Sequence, residues 1–325
     1  MKAMILTAGL GTRLRPLTLE LAKPAVPVCG KPLILRTVEF LSAQGFSSFR
    51  LNLNWAPETI RNVFQNSGQR DHKVTFSYEP EILGTAGGLK ANESFFDSDC
   101  FLMVNGDILF DFRLEQAIDF HKKRKAVATL LLLPQQAPFQ FTPVRVDEHH
   151  NIVSFHKQTG PQEAGTSAFL FTGIHVLSPR IFRYIEPGKF FEIISQAYVS
   201  ALEAGEKVLG FPTDGYWNDL GDPQRYIKAV GDVLDGKLNS PVTPAYVAEG
   251  STVRRDTELH RVSIERGCVV EQGCSITNSV IWSNVKISQG SIIENCIIGD
   301  SVRVSGEHSC EVITLNGSVS FKCQA

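Results

Sequence analysis

Ile264, Val270 and Ile276 are six residues apart, as are Ile281, Ile287 and Ile293, and then Ile298 and Val304. Only the steps from Ile276 to Ile281 and from Ile293 to Ile298 shorten to five. A helix returns to the same face about every 3.6 residues and a plain strand about every two, so neither sustains this period. A short strand and a turn per step does, and such steps stack into a β-solenoid. Glycine or another small residue precedes each apolar step by about three. The regular repeat spans roughly forty residues, which predicts about two coils of about eighteen residues with ragged ends. Cys268, Cys274, Cys296 and Val302 fall at small inward or turn positions, so packing accounts for these cysteines without chemistry.

The N-terminal end has a different grammar. Ala3-Met4-Ile5-Leu6 predicts a buried strand, and it runs into Ala8-Gly9-Leu10-Gly11-Thr12-Arg13. Two glycines directly after a strand allow a sharp turn that presents backbone N–H groups to a phosphate. The planar fork of Arg13 matches phosphate oxygens. Lys23 follows in Ala22-Lys23-Pro24, and Lys31 in Gly30-Lys31-Pro32. One strand, one glycine turn and several cations are therefore expected to converge on a triphosphate. A dinucleotide fingerprint is excluded, because Leu14 stands at its third glycine position. A Walker A loop is excluded because no Gly-Lys-Ser/Thr closes the turn.

From Pro32 to about Leu234 apolar strands alternate with helical patterns, which predicts an α/β domain with a mostly parallel sheet. Helices are expected at 33–44, 57–65, 113–125, 191–202 and 224–234, with a short one at 179–184. Asp222 is the expected N-cap of the 224–234 helix. Strands are expected at 49–54, 74–78, 99–104, 126–133, 168–177 and 207–211, and a hairpin from 144–147 with 152–155. Residues 236–244 read as a linker. The strand at 99–104 ends in Asn105-Gly106-Asp107. An acidic residue at the C-terminal end of a central strand lies where open α/β sheets bind ligands, although Asn-Gly-Asp is also good turn chemistry.

Composition narrows the function classes. The chain has 325 residues, 43% of them hydrophobic and 20% charged, enough for two domains and a sizeable core. A net charge of −2 argues against a nucleic-acid partner. No apolar run approaches the roughly 20 residues of a membrane helix, and no signal-peptide pattern opens the chain. The seven cysteines never form Cys-x-x-Cys, so they are expected to be reduced thiols in a cytoplasmic protein.

Residues 9–18, Gly-Leu-Gly-Thr-Arg-Leu-Arg-Pro-Leu-Thr, with Lys23-Pro24 downstream, resemble the signature of the sugar-1-phosphate nucleotidylyltransferases. Gly215-Tyr216-Trp217-Asn218-Asp219-Leu220-Gly221-Asp222-Pro223 resembles the same family's Gly-Tyr-Trp-x-Asp-x-Gly-x-Pro segment. The six-residue steps resemble the hexapeptide left-handed β-helix found in mannose-1-phosphate guanylyltransferase-like members. The resemblance implies a Rossmann-like nucleotidyltransferase domain over residues 1–236 and a small left-handed β-helix over 237–325.

It also implies roles. Asp107 and Asp219 would hold Mg²⁺. Arg13 and the backbone of Ala8, Gly9, Leu10, Gly11 and Thr12 would bind the nucleotide phosphates, and Lys23 would stabilise the transferring phosphoryl. The stretch from Glu79 to Leu89 resembles the loop that reads the nucleobase. Glu79 or Glu81 could accept from guanine's N1–H and N2–H₂, with Gly84 and Thr85 lining the base; an acidic solvated turn is the alternative. Asn105, Thr172 and Gly173 would face the sugar, and Lys157 its phosphate. His156 stands where the family has a glutamate, and an imidazole lacks a carboxylate's two acceptor oxygens.

The implied reaction joins an NTP to a sugar 1-phosphate and releases pyrophosphate, with GTP and mannose 1-phosphate the first expectation. UTP or dTTP with glucose 1-phosphate or an amino-sugar 1-phosphate is the alternative. A non-catalytic subunit sensing a nucleotide sugar could dispense with Arg13, Lys23 or Asp107, yet all three are present. An acyl-transferring solenoid is disfavoured by the small coil count. An exposed solenoid end is a sheet edge that needs covering, which points to a homo-oligomer through this domain.

Overall fold

The computed structural model describes residues 1–67, 73–96, 100–135, 141–155, 165–238 and 240–323. In chain order it carries β1 (Lys2–Leu6), α1 (Leu33–Ala43), β2 (Ser48–Leu53), α2 (Pro57–Asn66), β3 (Lys73–Tyr78), α3 (Gly84–Lys90) and β4 (Phe101–Asn105). Then come β5 (Ile108–Phe110), α4 (Glu115–Arg124), β6 (Ala128–Pro134), β7 (Val144–Asp147), β8 (Ile152–Ser154) and β9 (Thr166–Leu177). A π-helical turn (Ile193–Tyr198) runs into α5 (Val199–Glu203), followed by β10 (Val208–Pro212), β11 (Trp217–Asp219) and α6 (Pro223–Leu234).

Nine strands form one sheet in the order β8-β7-β9-β4-β1-β2-β3, with β6 also beside β9 and β10 beyond it. β4, β1, β2 and β3 run parallel, as do β6 and β10, while β9 is antiparallel to β4, β6 and β7. Period-two alternation sorts each central strand between two cores. Ala3 and Ile5 of β1 and Leu102 and Val104 of β4 pack with Ile34, Val38 and Leu41 of α1 and Ile60 of α2. Met4, Phe101 and Met103 face the other way, onto Ala86 and Leu89 of α3 and Ala197 and Ala201. A strand buried on both faces reads as an unbroken apolar run, which is why these strands were visible in the sequence.

The helix expected over 191–202 starts two residues late. Ala86 N and Gly87 N both donate to Phe191 O, at 2.8 and 3.0 Å, and Phe191 N donates to Leu83 O at 2.8 Å. These bonds hold Phe191 against α3 and keep it out of the helix. α6 begins as expected, with Asp222 Oδ1 accepting from Arg225 N at 2.9 Å and Pro223 in the first turn.

The solenoid differs from its expected dimensions. Val253 pairs with Val270, Val270 with Ile287 and Ile287 with Val304, so one coil takes seventeen residues. The five-residue steps are not breaks but the third, shorter side of every coil. Four strands stack on this face, giving four coils rather than two. In the column that Ile276 and Ile293 define, the first coil carries Leu259 and the last carries His308, which follows Ile293 by fifteen residues because that coil is shorter. Corners adopt left-handed backbone at Gly267, Asn284 and Ser301 in one column and at Asn278 and Asn295 in another. Asparagine tolerates that region, so several turns carry no glycine signal.

Cys268, Cys274, Cys296 and Val302 lie in the solenoid core. Burial pushes the Cys268 and Cys296 thiols up to about 11, which leaves them unreactive. The expectation that all seven cysteines are thiols is corrected: Cys310 and Cys323 form a disulfide. The solenoid docks on the first domain through Val280, Trp282, Ile297 and Val312. They meet Tyr226, Val230 and Val233 of α6, and Leu14, Leu17, Val26 and Val28 of the loop after β1.

Candidate active site

A cavity of about 370 Å³ opens at the C-terminal ends of the parallel strands β1, β2 and β4. The turn after β1 supplies Ala8, Gly9, Gly11, Thr12 and Arg13 to its wall. Gly11 has φ +60°, and a Cβ there would lie 3.1 Å from Lys23 Cβ and 3.2 Å from Thr18 Cγ2. The turn is tied down by Thr18 Oγ1, which donates to Gly11 O at 2.8 Å. Leu10 is exposed and does not line the cavity; Arg13 is exposed and does.

Lys23 is buried, and its Nζ lies 2.5 Å from Asp107 Oδ2. β5 and β11 pair with Asp219 opposite Ile108, and Leu220 N donates to Asp107 O at 2.8 Å. This small ribbon brings the two predicted aspartates side by side from positions far apart in sequence. Burial raises the Asp219 carboxyl above its ordinary range; Arg225 opposes that shift and the charge of Asp107 adds to it. Arg225 Nη1 lies 2.8 Å from both Asp219 oxygens, and its Nε 3.3 Å from Asp222 Oδ2. A Cβ on Gly221 would fall 2.5 Å from Asp219 Oδ2 and 3.2 Å from Arg13 Nη1, so glycine lets these groups crowd together.

Among the described residues no three His, Cys, Asp or Glu side chains group as a metal cage. Mg²⁺ rarely uses one: it takes one or two carboxylates and fills the rest with substrate phosphate and water. Two adjacent carboxylates, one of them strained toward protonation by its neighbour and by burial, fit that ion.

At the other end of the cavity Glu79 is buried on the floor. Its Oε1 accepts from Asn52 Nδ2 at 2.8 Å and its Oε2 from Leu83 N at 3.2 Å, while Asn52 Oδ1 accepts from Thr7 N at 2.8 Å. Burial pushes the Glu79 carboxyl up, and the bonds from Asn52 and Leu83 oppose this. Glu81 is exposed and outside the cavity lining. Gly84 and Thr85 line it, and Thr85 Oγ1 donates to Glu192 Oε2 at 2.8 Å.

Asn105 lines the cavity, and Gly173 lies behind it. Gly173 has φ +80° and falls where the β9–β6 register shifts, and a Cβ there would be 2.6 Å from Asn105 Nδ2. Thr172 is fully buried. Its Oγ1 donates to Leu131 O and its carbonyl accepts from Trp217 Nε1, both at 2.8 Å, so its polar groups are engaged within the fold. His156 and Lys157 lie outside the described residues. Lys31 does not join the cavity cations; it pairs with Glu39 of α1. Sequence reasoning missed Arg225, Asn52 and Glu192. Arg225 carried one signal, being the third residue after the N-cap Asp222 on a helix that starts beside Asp219.

A site that sets lysine and arginines around two adjacent carboxylates, next to a glycine turn, belongs to the class of enzymes that transfer phosphorus-linked groups. The comparisons with known proteins narrow the class. Residues 2–236 match the Nucleotidyl transferase family model, and the chain belongs to that family. Residues 242–322 match the GMPPB C-terminal domain.

Among relatives, the chain is 30% identical over 257 residues to UTP--glucose-1-phosphate uridylyltransferase of Synechocystis sp., covering 75% of this chain and 66% of that protein. It is 29% identical over 307 residues to mannose-1-phosphate guanylyltransferase 1 of Arabidopsis thaliana, covering 88% and 82%. It is 28% identical over 292 residues to the mannose-1-phosphate guanylyltransferase of Mycobacterium tuberculosis, covering 88% and 80%. Among solved structures it resembles HddC from Yersinia pseudotuberculosis, also solved complexed with GMP-PN, with TM-score 0.59 and 26% identity over 70% of this chain and 97% of that one.

Proposed function

We propose that the protein transfers a guanylyl group from GTP to mannose 1-phosphate, forming GDP-mannose and pyrophosphate. The observation that carries the guanine half is Glu79, a carboxylate at the cavity whose two oxygens each accept from one donor among the described residues. A carboxylate has about four acceptor positions, which leaves room for the paired N–H groups of guanine. The guanylyltransferase relatives and the GMP-PN complex of HddC support the same base.

In this reading the amides of residues 9–12 and the Arg13 guanidinium hold the β- and γ-phosphates. Lys23 neutralises charge on the transferring phosphoryl. Lys157 holds the attacking phosphate, and Asn105 and His156 form the sugar side, with Gly173 behind Asn105 and the buried Thr172 supporting it from within the fold. Asp107 and Asp219 hold Mg²⁺, which when bound supplies positive charge to the α-phosphate. The attacking phosphate oxygen is already anionic, so no general base is required. Catalysis then rests on positioning and fixed charge.

Residues 1–236 form the catalytic unit of this proposal and 237–325 the solenoid unit. The enzyme is placed in the cytoplasm with its nucleotide substrates, and its solenoid, with Ile292, Leu315 and Val319 exposed, is proposed to mediate homo-oligomer contacts. Molar mass by light scattering tests the last point, and a monomer contradicts it. UTP with glucose 1-phosphate is the second reading, favoured by the Synechocystis relative.

Nucleotide selectivity of Glu79→Gln separates the two. On the guanine reading its KM for GTP rises about tenfold or more while UTP stays a poor substrate. Unchanged GTP kinetics remove Glu79 from base recognition.

A further inference from the structure

Lys23 does not sit on a strand. It belongs to a three-residue turn, Lys23–Ala25, closed by Ala25 N donating to Ala22 O at 2.8 Å and Val26 N to Lys23 O at 3.2 Å. Such a turn has little stiffness of its own, yet it must aim an ammonium into the cavity. On one side Ala22 N donates to Thr59 Oγ1 of α2 at 3.1 Å, and Ala22 and Ala25 pack in the cluster of α1 and α2. A second set of contacts holds the loop on its outer side.

Four residues beyond Lys23, the carbonyl of Pro27 accepts a hydrogen bond from Tyr226 Oη at 2.5 Å. Tyr226 Oη in turn accepts one from Trp282 Nε1 at 3.0 Å. Tyr226 stands on α6 and Trp282 on the solenoid. Tyr226 is 0% exposed and Trp282 5% exposed, so the bond between them is shielded from water, and the two bonds that share Tyr226 Oη strengthen each other. A second grip holds the same loop further on. Gly30 N donates to the solenoid's Glu265 Oε1 at 3.0 Å, and Glu265 Oε1 also accepts from Ser263 Oγ at 3.0 Å. Gly30 has φ +77°, and a Cβ there would fall 1.9 Å from Tyr246 Oη of the solenoid. Val26 and Val28 pack into the apolar cluster that contains Val280 and Trp282.

We propose that Trp282 and Tyr226 are positioning residues for nucleotidyl transfer. Through Pro27 they fix the turn that presents Lys23, so the solenoid completes the active site rather than merely decorating it. The proposal rests on the reading of Lys23 as the group that neutralises the transferring phosphoryl. Neither residue touches the cavity. They act because misplacing a catalytic group by about 1 Å costs on the order of 100-fold in rate.

The test is a set of steady-state measurements on the full chain with GTP, mannose 1-phosphate and Mg²⁺, using Tyr226→Phe, Trp282→Phe, Lys23→Arg and the double variants. Tyr226→Phe keeps the ring and removes the bond to Pro27; it is expected to lower kcat about tenfold with both KM values within about twofold. Trp282→Phe, which leaves Tyr226 in place, is expected to lower kcat by a smaller factor and serves if Tyr226→Phe does not fold. In the Lys23→Arg background the same substitutions are expected to change kcat by less than about twofold, because the group they position is already altered. Full kcat in both phenylalanine variants beside an impaired Lys23→Arg overturns the clamp alone. So do effects that multiply independently, or a lowered melting temperature with unchanged kcat, which marks plain interface packing. Full kcat in Lys23→Arg overturns the reading of Lys23 and the clamp with it.

Discussion

Arg225 Nη1 lies 2.8 Å from both carboxylate oxygens of Asp219, so this aspartate already has a cationic partner supplied by the protein. The pair is largely buried, and removing one partner strands the other charge. Arg225→Met is expected to lower stability by about 3 kcal/mol. Millimolar Mg²⁺ should then raise the melting temperature of the variant more than that of the unaltered protein, because the ion replaces the missing charge. Equal shifts in both proteins would separate Asp219 from the metal.

Asp107 and Asp219 are the proposed metal carboxylates. Asp107→Asn and Asp219→Asn are each expected to reduce turnover by at least about 1000-fold while the chain still folds, with some loss of stability because Lys23 and Arg225 lose their partners. Full activity in either variant withdraws that residue from the metal site.

Gly88 explains why the base loop is so small-residued. A Cβ there would stand 2.5 Å from Glu79 Oε1 and 3.0 Å from Asn52 Nδ2. Gly88→Ala should displace Glu79, raising KM for the nucleotide about tenfold and leaving KM for the sugar phosphate nearly unchanged. Equal changes in both constants would place Glu79 away from the base.

Two buried histidines set a pH dependence of stability. Burial holds His175 down to about 3 and His121 down to about 4. Both depressions favour the neutral folded form, so the stability they contribute is present above about pH 6.5 and is lost as pH falls toward those values. Each histidine contributes a slope of about 1.4 kcal/mol per pH unit inside its window. His175→Gln should flatten the urea-unfolding free energy between pH 4 and 6 by about one proton. An unchanged slope would mean that His175 is not neutral in the fold.

The parts of the molecule that were legible in the sequence were those written by local periodicity. β1 and β4 announced themselves because both faces are buried. The start of α6 was marked by Asp222 and Pro223. Asp107 and Asp219 were found by motif, but what brings them together is the pairing of β5 with β11, a long-range contact with no local signal. The seventeen-residue coil is present in the spacing, but its last turn is not legible, because that coil shortens to fifteen residues and puts His308 in the isoleucine column. Glu79 could not be told from Glu81 by sequence, since burial separates them and burial depends on Asn52, a strand away.

The most direct test of the central claim is pyrophosphate release with Mg²⁺ across four NTPs and a panel of sugar 1-phosphates. The account predicts release with GTP and mannose 1-phosphate, and little in the other combinations. Release confined to UTP and glucose 1-phosphate would contradict the guanine reading of Glu79. No release in any combination would contradict nucleotidyl transfer to a sugar phosphate altogether.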